Sequence, residues 1–353
     1  MKLTFEKKSE ESNVVPVDFK AVEKIRETLG SQNRIDPACI GLSLLPNRTI
    51  NDFLKSIVGP GDEVLTVGPT GENIFRAITL NDASYYEFYE RPLFLPDSQG
   101  LIARVTKRTK AIILGNPNRF NGIVYSQKEI ENILNISSDV MVILDESTFE
   151  MSRITAFELI NKYDNLALIR SFEIGINNRI EFLIGNSSVI SKAEIVIFDR
   201  SFTNSRLANI LFKLKTGSDR LAHLKDGRQE MLYLSLRLRM FGLNCFLTPD
   251  YSLVVNTVMS EELMLQLNKA GVRALGLARF PGLNGYILIP YNIEIDAISI
   301  IDIIENSVNA KIENKPENKR LAILHQSESV GGRGFEEYHN VKPTHRLESN
   351  IVF

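Results

Sequence analysis

Apolar and polar positions along the chain follow two alternating periods. Short apolar runs that are typical of buried strands recur between segments with helical spacing, which predicts an α/β domain with a largely parallel sheet. The predicted strands are EVLTV, KAIILGNPN, DVMVILDES, NLALIRS and EFLIGN. Helices are predicted for TINDFLKSIV, for SQKEIENILN with its capping residues, and as one or two long helices over residues 201–242.

The pattern changes after Gly242. The short runs YSLVVNTV and GYILIPY are typical of strands, and SEELMLQLNKAG and IDAISIIDIIENSV have helical spacing. We therefore predict a small α+β domain in this part of the chain. From about Lys311 the sequence is mostly polar and follows neither period. We expect this last part to be an extended tail, either disordered or packed on a neighbouring chain.

Composition narrows the classes of function. The 353 residues carry a net charge of -2, with a sequence pI near 6.2, so no overall basic field favours nucleic acid. Cys39 and Cys245 have apolar neighbours and are predicted to be reduced core thiols rather than a disulfide or a metal site. The first residues are charged and no apolar run of about 18 residues occurs. We expect a cytoplasmic protein that does not bind membranes or nucleic acid.

Six stretches occur in an order and spacing that together are specific. They are PGDEVLTVGPT, TKAIILGNPNRFNGIVYSQKEIENIL, VMVILDESTFEM, LALIRSFEIGINNRIEFLIGN (residues 166–186), GLNCFLTPDYSLVV and GYILIP. In this order they resemble the fold-type I aminotransferases that depend on pyridoxal 5'-phosphate (PLP), and most closely the histidinol-phosphate aminotransferase branch. The resemblance covers roughly residues 36–308. It implies the aspartate aminotransferase fold, with a three-layer large domain around a mostly parallel sheet and a small α+β domain.

The resemblance also implies a division of the chain. Residues 1–35 are predicted to be an N-terminal arm that belongs to the small domain. The large aminotransferase-like domain is predicted at residues 36–245 and the small C-terminal domain at residues 246–318. Residues 319–353 are the polar tail. Family members form dimers with the cofactor site at the interface, so we expect a homodimer or a heterodimer with an active paralogue.

The catalytic lysine of the family is missing from the matching stretch, residues 166–186. In the family this lysine forms a Schiff base with PLP and moves a proton between substrate and cofactor, which requires an amine. Counting along the strand places Ile174, or Gly175 if the gap moves, at the lysine position. No lysine occurs from Tyr163 through Ser191, so we predict no catalytic residue here.

Two other family positions bear on the cofactor ring. Asp145 matches the aspartate that pairs with the pyridine nitrogen, and the alternative is that this acid only caps the next helix. Arg119 occupies the position of the asparagine that binds the phenolic oxygen of the cofactor, and Phe120 replaces the proline that follows it. Arg119 retains hydrogen-bond donors, although its length changes the geometry.

The phosphate cup of the family corresponds to GLSLLPNRTIND. Backbone amides at a helix N-terminus hold the phosphate in such a cup. Leu45 and Pro46 stand where the backbone must come close, and proline has no N–H to donate. Ser43, Asn47 and Arg48 remain as candidate anion contacts, so the predicted cofactor-binding residues are Asp145, Arg119, Ser43 and Asn47. We expect these four residues to line a degenerate cofactor pocket.

The other cofactor and substrate contacts of the family are also replaced. Phe75 is a distant substitute for the ring that stacks on the cofactor. Gly71 stands at the position of the stacking ring, and Thr148 at that of the tyrosine of D-E-A-Y. Phe182 or Leu183 stands where the family has an arginine that binds the cofactor phosphate, and Arg179 is the nearest alternative. Leu288 stands at the position of the arginine that binds the substrate carboxylate. A buried leucine cannot replace a bidentate guanidinium.

Scaffold signals match the family while catalytic groups do not. We therefore predict an aminotransferase-like pseudoenzyme with a binding or partner role. We expect it to use no cofactor. If the family function is retained, the expected cofactor is PLP. A small-molecule ligand in the remnant cleft and a place in a biosynthetic pathway are compatible with this hypothesis. The alternative is an active but atypical aminotransferase-like enzyme that acts on an amino acid or an amino-phosphate. In that case Glu173 and Arg170 form an acid–base pair, or else a plain ion pair at a strand end.

Overall fold

The structure is a computed structural model of the chain. It describes residues 18–43, 48–90, 94–175, 178–197, 203–216, 220–290 and 297–313. The predicted polar tail at residues 319–353, the first half of the predicted arm and Asn47 lie outside the described residues.

The larger of the two described sheets has seven strands. They are β1 (Ile40–Leu42), β2 (Glu63–Val67), β3 (Ser84–Phe88), β4 (Thr109–Gly115), β5 (Met141–Asp145), β6 (Leu166–Gly175) and β7 (Asn178–Gly185). Their order in the sheet is β1-β7-β6-β5-β4-β2-β3. The strands from β3 to β6 run parallel, and β7 runs antiparallel to both β6 and β1. The predicted mostly parallel sheet is confirmed.

Eleven α-helices are described. They are α1 (Phe19–Asn33), α2 (Thr49–Leu54), α3 (Glu72–Leu80), α4 (Ser98–Ile102), α5 (Gln127–Leu134), α6 (Phe149–Ser152), α7 (Ser187–Ile197), α8 (Asn204–Thr216), α9 (Arg220–Met240), α10 (Ser260–Lys269) and α11 (Ala297–Glu313). Within this described part, no helix combines the length and apolar character needed to cross a bilayer.

Helix α5 shows how the sequence defines an element locally. The Ser126 hydroxyl accepts from the Glu129 backbone N–H at 3.3 Å, and the Glu129 carboxylate accepts from the Ser126 backbone N–H at 2.8 Å. This reciprocal capping box satisfies N–H groups that the first helical turn leaves open. Ile130, Ile133 and Leu134 form the buried face of the helix, so the predicted capped helix is confirmed.

Both faces of the seven-stranded sheet are buried. Along β4, Ile112 and Leu114 belong to one apolar cluster and Ile113 to the other, because successive side chains of a strand point to opposite faces. Helices α1, α5 and α8 supply residues to the first cluster, and α2, α3 and α7 supply residues to the second. The sheet is thus the middle of three layers, as predicted.

A second sheet has the four strands β8 (Asn244–Leu247), β9 (Leu253–Asn256), β10 (Leu275–Gly276) and β11 (Tyr286–Ile289). They pair antiparallel in the order β10-β11-β9-β8. β9 and β11 lie within the predicted runs YSLVVNTV and GYILIPY. Leu288 lies in the apolar cluster of this sheet with 4% of its surface exposed, so this position is part of a core.

Helix α1 lies within the predicted N-terminal arm. Its residues Val22, Ile25 and Leu29 belong to a cluster on one face of the seven-stranded sheet. The prediction assigns the arm to the small domain, whereas this packing places its helix against the large sheet. By contacts the chain separates into the units Met1–Ile303 and Ile304–Phe353, and α11 contains that division. The three boundaries between the four predicted segments stay predictions.

Candidate functional site

A cleft opens at the carboxyl ends of the parallel strands β2, β4 and β5. Ligands of open α/β sheets bind outside these strand ends. The centre of a water molecule can reach about 120 Å³ of the cleft, which holds several waters or a small ligand. The polar residues that line it are Thr70, Asn73, Asn118, Arg119, Asp145, Ser147 and Glu181, and the apolar ones include Ile50, Ile74, Ile113, Phe120 and Ile169.

Asp145 is the last residue of β5 and lines the cleft. Its Oδ1 accepts from the backbone N–H of Ser147 at 2.9 Å, which closes a turn of the kind that Asp side chains favour. The next helix, α6, has Thr148 as its N-cap and makes no side-chain cap bond. Asp145 therefore shapes the end of the cleft and does not cap that helix.

Arg119 and Asn118 follow β4 in the loop that borders the cleft. Arg119 is exposed and lines the cleft. Asn118 is buried, and its Nδ2 donates to the Pro69 carbonyl at 3.1 Å. Its Oδ1 accepts from the backbone N–H groups of Phe120 and Asn121 at 2.9 and 3.4 Å. This amide joins the loops after β2 and β4.

The structure does not bring the predicted anion contacts together. Ser43 follows β1, is buried and is not part of the cleft lining, and its hydroxyl has no hydrogen-bond partner within the described chain. Asn47 lies outside the described residues. Arg48 is exposed, and its Nε lies 3.5 Å from Oδ2 of Asp52, one turn along α2. Of the four predicted cofactor-binding residues, Asp145 and Arg119 share the cleft.

The predicted substitute for the stacking ring lies elsewhere. Phe75 is not part of the cleft lining, and its ring packs edge-on against Tyr85 with 5.1 Å between centroids. Gly71 lines the cleft as the N-cap of α3. The backbone of Ile174 lies in β6 at an irregularity of the ladder with β7, and its side chain is outside the described part.

Glu181 is a cleft residue that the sequence analysis missed. It lies on β7 opposite Ser171 of β6, with 5% of its surface exposed. Its neighbours Ile180 and Phe182 are buried on the other face of the sheet. A buried acid within an apolar strand is uncommon, and that anomaly in RIEFLIG was the available signal.

Arg170 also differs from its predicted role. Its Nε donates to Oε2 of Glu146 at 3.1 Å, and both side chains are buried. Further bonds join its guanidinium to Asn33 at 2.8 Å and Thr155 at 2.7 Å. Because the preceding residue, Ile169, lines the cleft, Arg170 points to the opposite face. It is therefore not a cleft residue, and the side chain of Glu173 lies outside the described part.

The family follows from comparison with known proteins. The profile of the family described as aminotransferase class I and II matches residues 48–266, which is more than half of the chain. The chain belongs to this family.

Curated relatives within the family are histidinol-phosphate aminotransferases. The enzyme of Methanococcus aeolicus is 28% identical over 251 residues, which cover 67% of this chain and 66% of that enzyme. The enzyme of Sinorhizobium fredii is 26% identical over 204 residues, which cover 56% of this chain and 54% of that enzyme. The chain therefore spans between about half and two thirds of the length of these relatives.

Solved structures support the fold. The histidinol-phosphate aminotransferase from Clostridium acetobutylicum has a TM-score of 0.71 at 16% identity, covering 84% of this chain and 91% of that one. Aspartate aminotransferase from Thermotoga maritima has the same TM-score and identity, covering 83% of this chain and 84% of that one. The predicted PLP-dependent transferase fold is confirmed.

The family depends on PLP, and the cleft can be tested for this group. Asp145 fits, because an acid at this strand end is suited to a protonated pyridine nitrogen. The remaining described lining does not fit: it contains no lysine, and its one basic residue, Arg119, is exposed whereas Glu181 is buried. A buried acid and an exposed arginine are poorly arranged for a phosphate dianion. Apart from Asp145, the described lining does not fit the cofactor, and residues 44–47 and the side chains of residues 173–179 lie outside the described part.

Proposed function

We propose that this member of the aminotransferase family is a pseudoenzyme that does not carry out PLP-dependent transamination. The observation that carries the proposal is the cleft lining, which keeps Asp145 but has no lysine among its described residues. The sequence analysis predicts Ile174, or Gly175 if the gap moves, at the lysine position. Without an amine among the residues that line the cleft, the PLP aldehyde would have no group with which to form a covalent link.

The scaffold supports a role in binding. Asn118 joins two cleft loops with one donated and two accepted hydrogen bonds, and Asp145 is held by its bond with Ser147. A cleft supported in this way is preorganised for a ligand. We therefore propose that the cleft holds a ligand noncovalently.

Pairing of two chains stays a prediction. Size-exclusion chromatography with light scattering measures it directly, because a homodimer of this 39.9 kDa chain has twice the mass. If the measured mass at micromolar concentration equals that of one chain, the homodimer is excluded and a heterodimer with another protein remains.

An absorbance titration with PLP tests the proposed function. We expect the spectrum of the mixture to equal the sum of the spectra of free PLP and protein, because no cleft amine reacts with the cofactor. The histidinol-phosphate aminotransferase of Methanococcus aeolicus, stripped of cofactor, is the matched positive control. A saturable band of lysine-bound cofactor at one equivalent of PLP per chain would refute the proposal.

A further inference from the structure

The chain contains two Asn-Gly dipeptides, Asn121–Gly122 and Asn284–Gly285. In such a pair the backbone nitrogen of the glycine can attack the side-chain amide carbon of the asparagine, because glycine has no Cβ that hinders the approach. The attack requires that the glycine N–H and the asparagine side chain be free to move toward each other. The environment of each dipeptide therefore decides whether its asparagine is open to this reaction.

Asn284 and Gly285 occupy the two central positions of a β-turn. The turn begins at Leu283, whose carbonyl accepts from the backbone N–H of Tyr286 at 3.2 Å. Gly285 has a φ of +83°, and Asn284 is not among the described non-glycine residues with positive φ, which is the pattern of a type II turn. Asn284 is exposed, so its side-chain amide lies at the tip of the turn in contact with water.

The peptide group between Asn284 and Gly285 is not held by the rest of the protein. Among the described residues, no hydrogen bond involves the Asn284 side chain, the Asn284 carbonyl or the Gly285 N–H. The plane of this peptide group can therefore rotate without breaking a hydrogen bond. Gly285 permits the rotation, because glycine adopts positive and negative φ with similar ease.

Asn121 and Gly122 are held at the corresponding atoms. Asn121 is 4% exposed, and its Oδ1 accepts from the backbone N–H of Ile123 at 3.1 Å. The Gly122 N–H donates to the Asn118 carbonyl at 2.9 Å. The attack at this dipeptide must break both hydrogen bonds inside the protein. The chain thus contains a protected Asn-Gly pair and an unprotected one.

We propose that Asn284 is a site of spontaneous deamidation, which the fold permits at this dipeptide and blocks at Asn121. The Gly285 nitrogen gives up its proton to solvent and bonds to Cγ of Asn284, and the side-chain nitrogen leaves as ammonia. Water then opens the resulting succinimide ring at either carbonyl, which yields aspartate or isoaspartate. One water is consumed and one ammonia is released, and the reaction needs no oxidant or cofactor.

Isoaspartate at this position lengthens the backbone between two anchored residues. On one side, Leu283 is 1% exposed within the apolar cluster of the four-stranded sheet. On the other side, the Gly285 carbonyl accepts from the Thr257 N–H at 2.9 Å. The isoaspartyl link runs through Cβ and adds one atom to the backbone between them. Because β11 begins directly after this turn, we expect its pairing with β9 to weaken.

Peptide mapping by mass spectrometry, after incubation of the whole chain at mildly alkaline pH, tests the proposal. In the folded chain we expect Asn284 to convert at least about tenfold faster than Asn121, because opening buried hydrogen bonds raises the barrier at Asn121. In guanidinium chloride, which unfolds the chain, both asparagines should convert at similar rates. The unfolded sample is thus the matched control for the chemistry of the dipeptide itself.

Hydrogen exchange of the incubated protein tests the structural consequence. Exchange at residues 286–289 should speed up in proportion to the isoaspartate formed at residue 284. Asn284→Gln is the control for incubation, because the ring that glutamine forms is larger and closes far more slowly. Freshly prepared Asn284→Asp adds the charge without lengthening the backbone, and it should exchange like the wild type.

Three outcomes would overturn the proposal. They are an unmodified Asn284 in the folded chain after a period that converts it in the unfolded chain, conversion of Asn121 as fast as that of Asn284 in the folded chain, and deamidation confined to other asparagines. Unchanged exchange at residues 286–289 in a largely converted sample would overturn the structural consequence. None of these measurements involves PLP, so the proposed function is tested separately.

Discussion

The buried carboxylate of Glu146 accepts a hydrogen bond from Arg170 at 3.1 Å, on the face of the sheet opposite the cleft. Glu146 follows the cleft residue Asp145, and Arg170 follows the cleft residue Ile169. The ion pair thus joins the ends of β5 and β6 behind the cleft. Burial is the main cause that raises the pKa of Glu146 and lowers the pKa of Arg170.

Removing one partner of this pair should destabilise the fold. We expect Arg170→Met to lower the free energy of unfolding by about 3–5 kcal/mol, because Glu146 is left as an uncompensated buried charge. Chemical denaturation measures the change. The double variant Glu146→Leu with Arg170→Met should lose less than the single variant, since no buried charge remains.

The exposed pair of Lys162 and Glu131 is the matched control. Its charged atoms lie 2.6 Å apart, but the Lys162 side chain is 61% exposed. Solvent screens such a pair, so Lys162→Gln should leave the denaturation midpoint almost unchanged. Equal losses for Lys162→Gln and Arg170→Met would contradict the role given to burial.

Glu90 should make stability depend on pH. Its carboxylate is 1% exposed and accepts hydrogen bonds from the Tyr125 hydroxyl and the Asp97 backbone N–H. Burial, outweighing these bonds, raises the pKa of Glu90 from 4.5 to about 7. The folded state therefore binds more protons than the unfolded state between these values, and stability falls as pH rises from about 4.5 through about 7.

Comparison with Glu90→Gln isolates this contribution. We expect the unfolding free energy of the wild type, relative to Glu90→Gln, to fall by about 3 kcal/mol between pH 4.5 and pH 8. Thermal or urea unfolding at several pH values measures the difference, which cancels the titration of other groups. A constant difference between the two proteins across this range would show that Glu90 does not titrate there.

Asn118 should hold the cleft loops together. Asn118→Ala removes the bond to Pro69 and the bonds from Phe120 and Asn121. We expect the unfolding free energy to drop by about 2–3 kcal/mol, because buried groups lose their partners. Hydrogen exchange should speed up at residues 116–123. Asn161→Ala, at an exposed position, should change neither quantity.

Much of the fold was predictable because burial leaves a clear pattern. Strands β4 and β5 are apolar runs buried on both faces, and α5 begins with a complete capping box. Strands β1 and β3 were not predicted. β1 has only three residues, and β3 lies at the sheet edge with no fully buried side chain, so neither shows a strong periodic signal.

The candidate site was predictable only where a residue ends or closely follows a recognisable strand. Asp145 ends β5, Arg119 follows β4, and both line the cleft. Glu181 was missed because β7 runs antiparallel to its neighbour, so its place at the cleft depends on the register with β6. Arg170 was misjudged because its partner Glu146 is 24 residues away along the chain, and one sequence does not reveal such a pairing.

We propose that no lysine of this chain forms a specific link with PLP. The most direct measurement is the intact mass of the chain, followed by peptide mapping, after incubation with one equivalent of PLP and reduction with borohydride. We predict at most scattered, substoichiometric labelling of exposed lysines, which excess phosphate does not change. A single lysine that carries one reduced PLP group per chain would contradict the account.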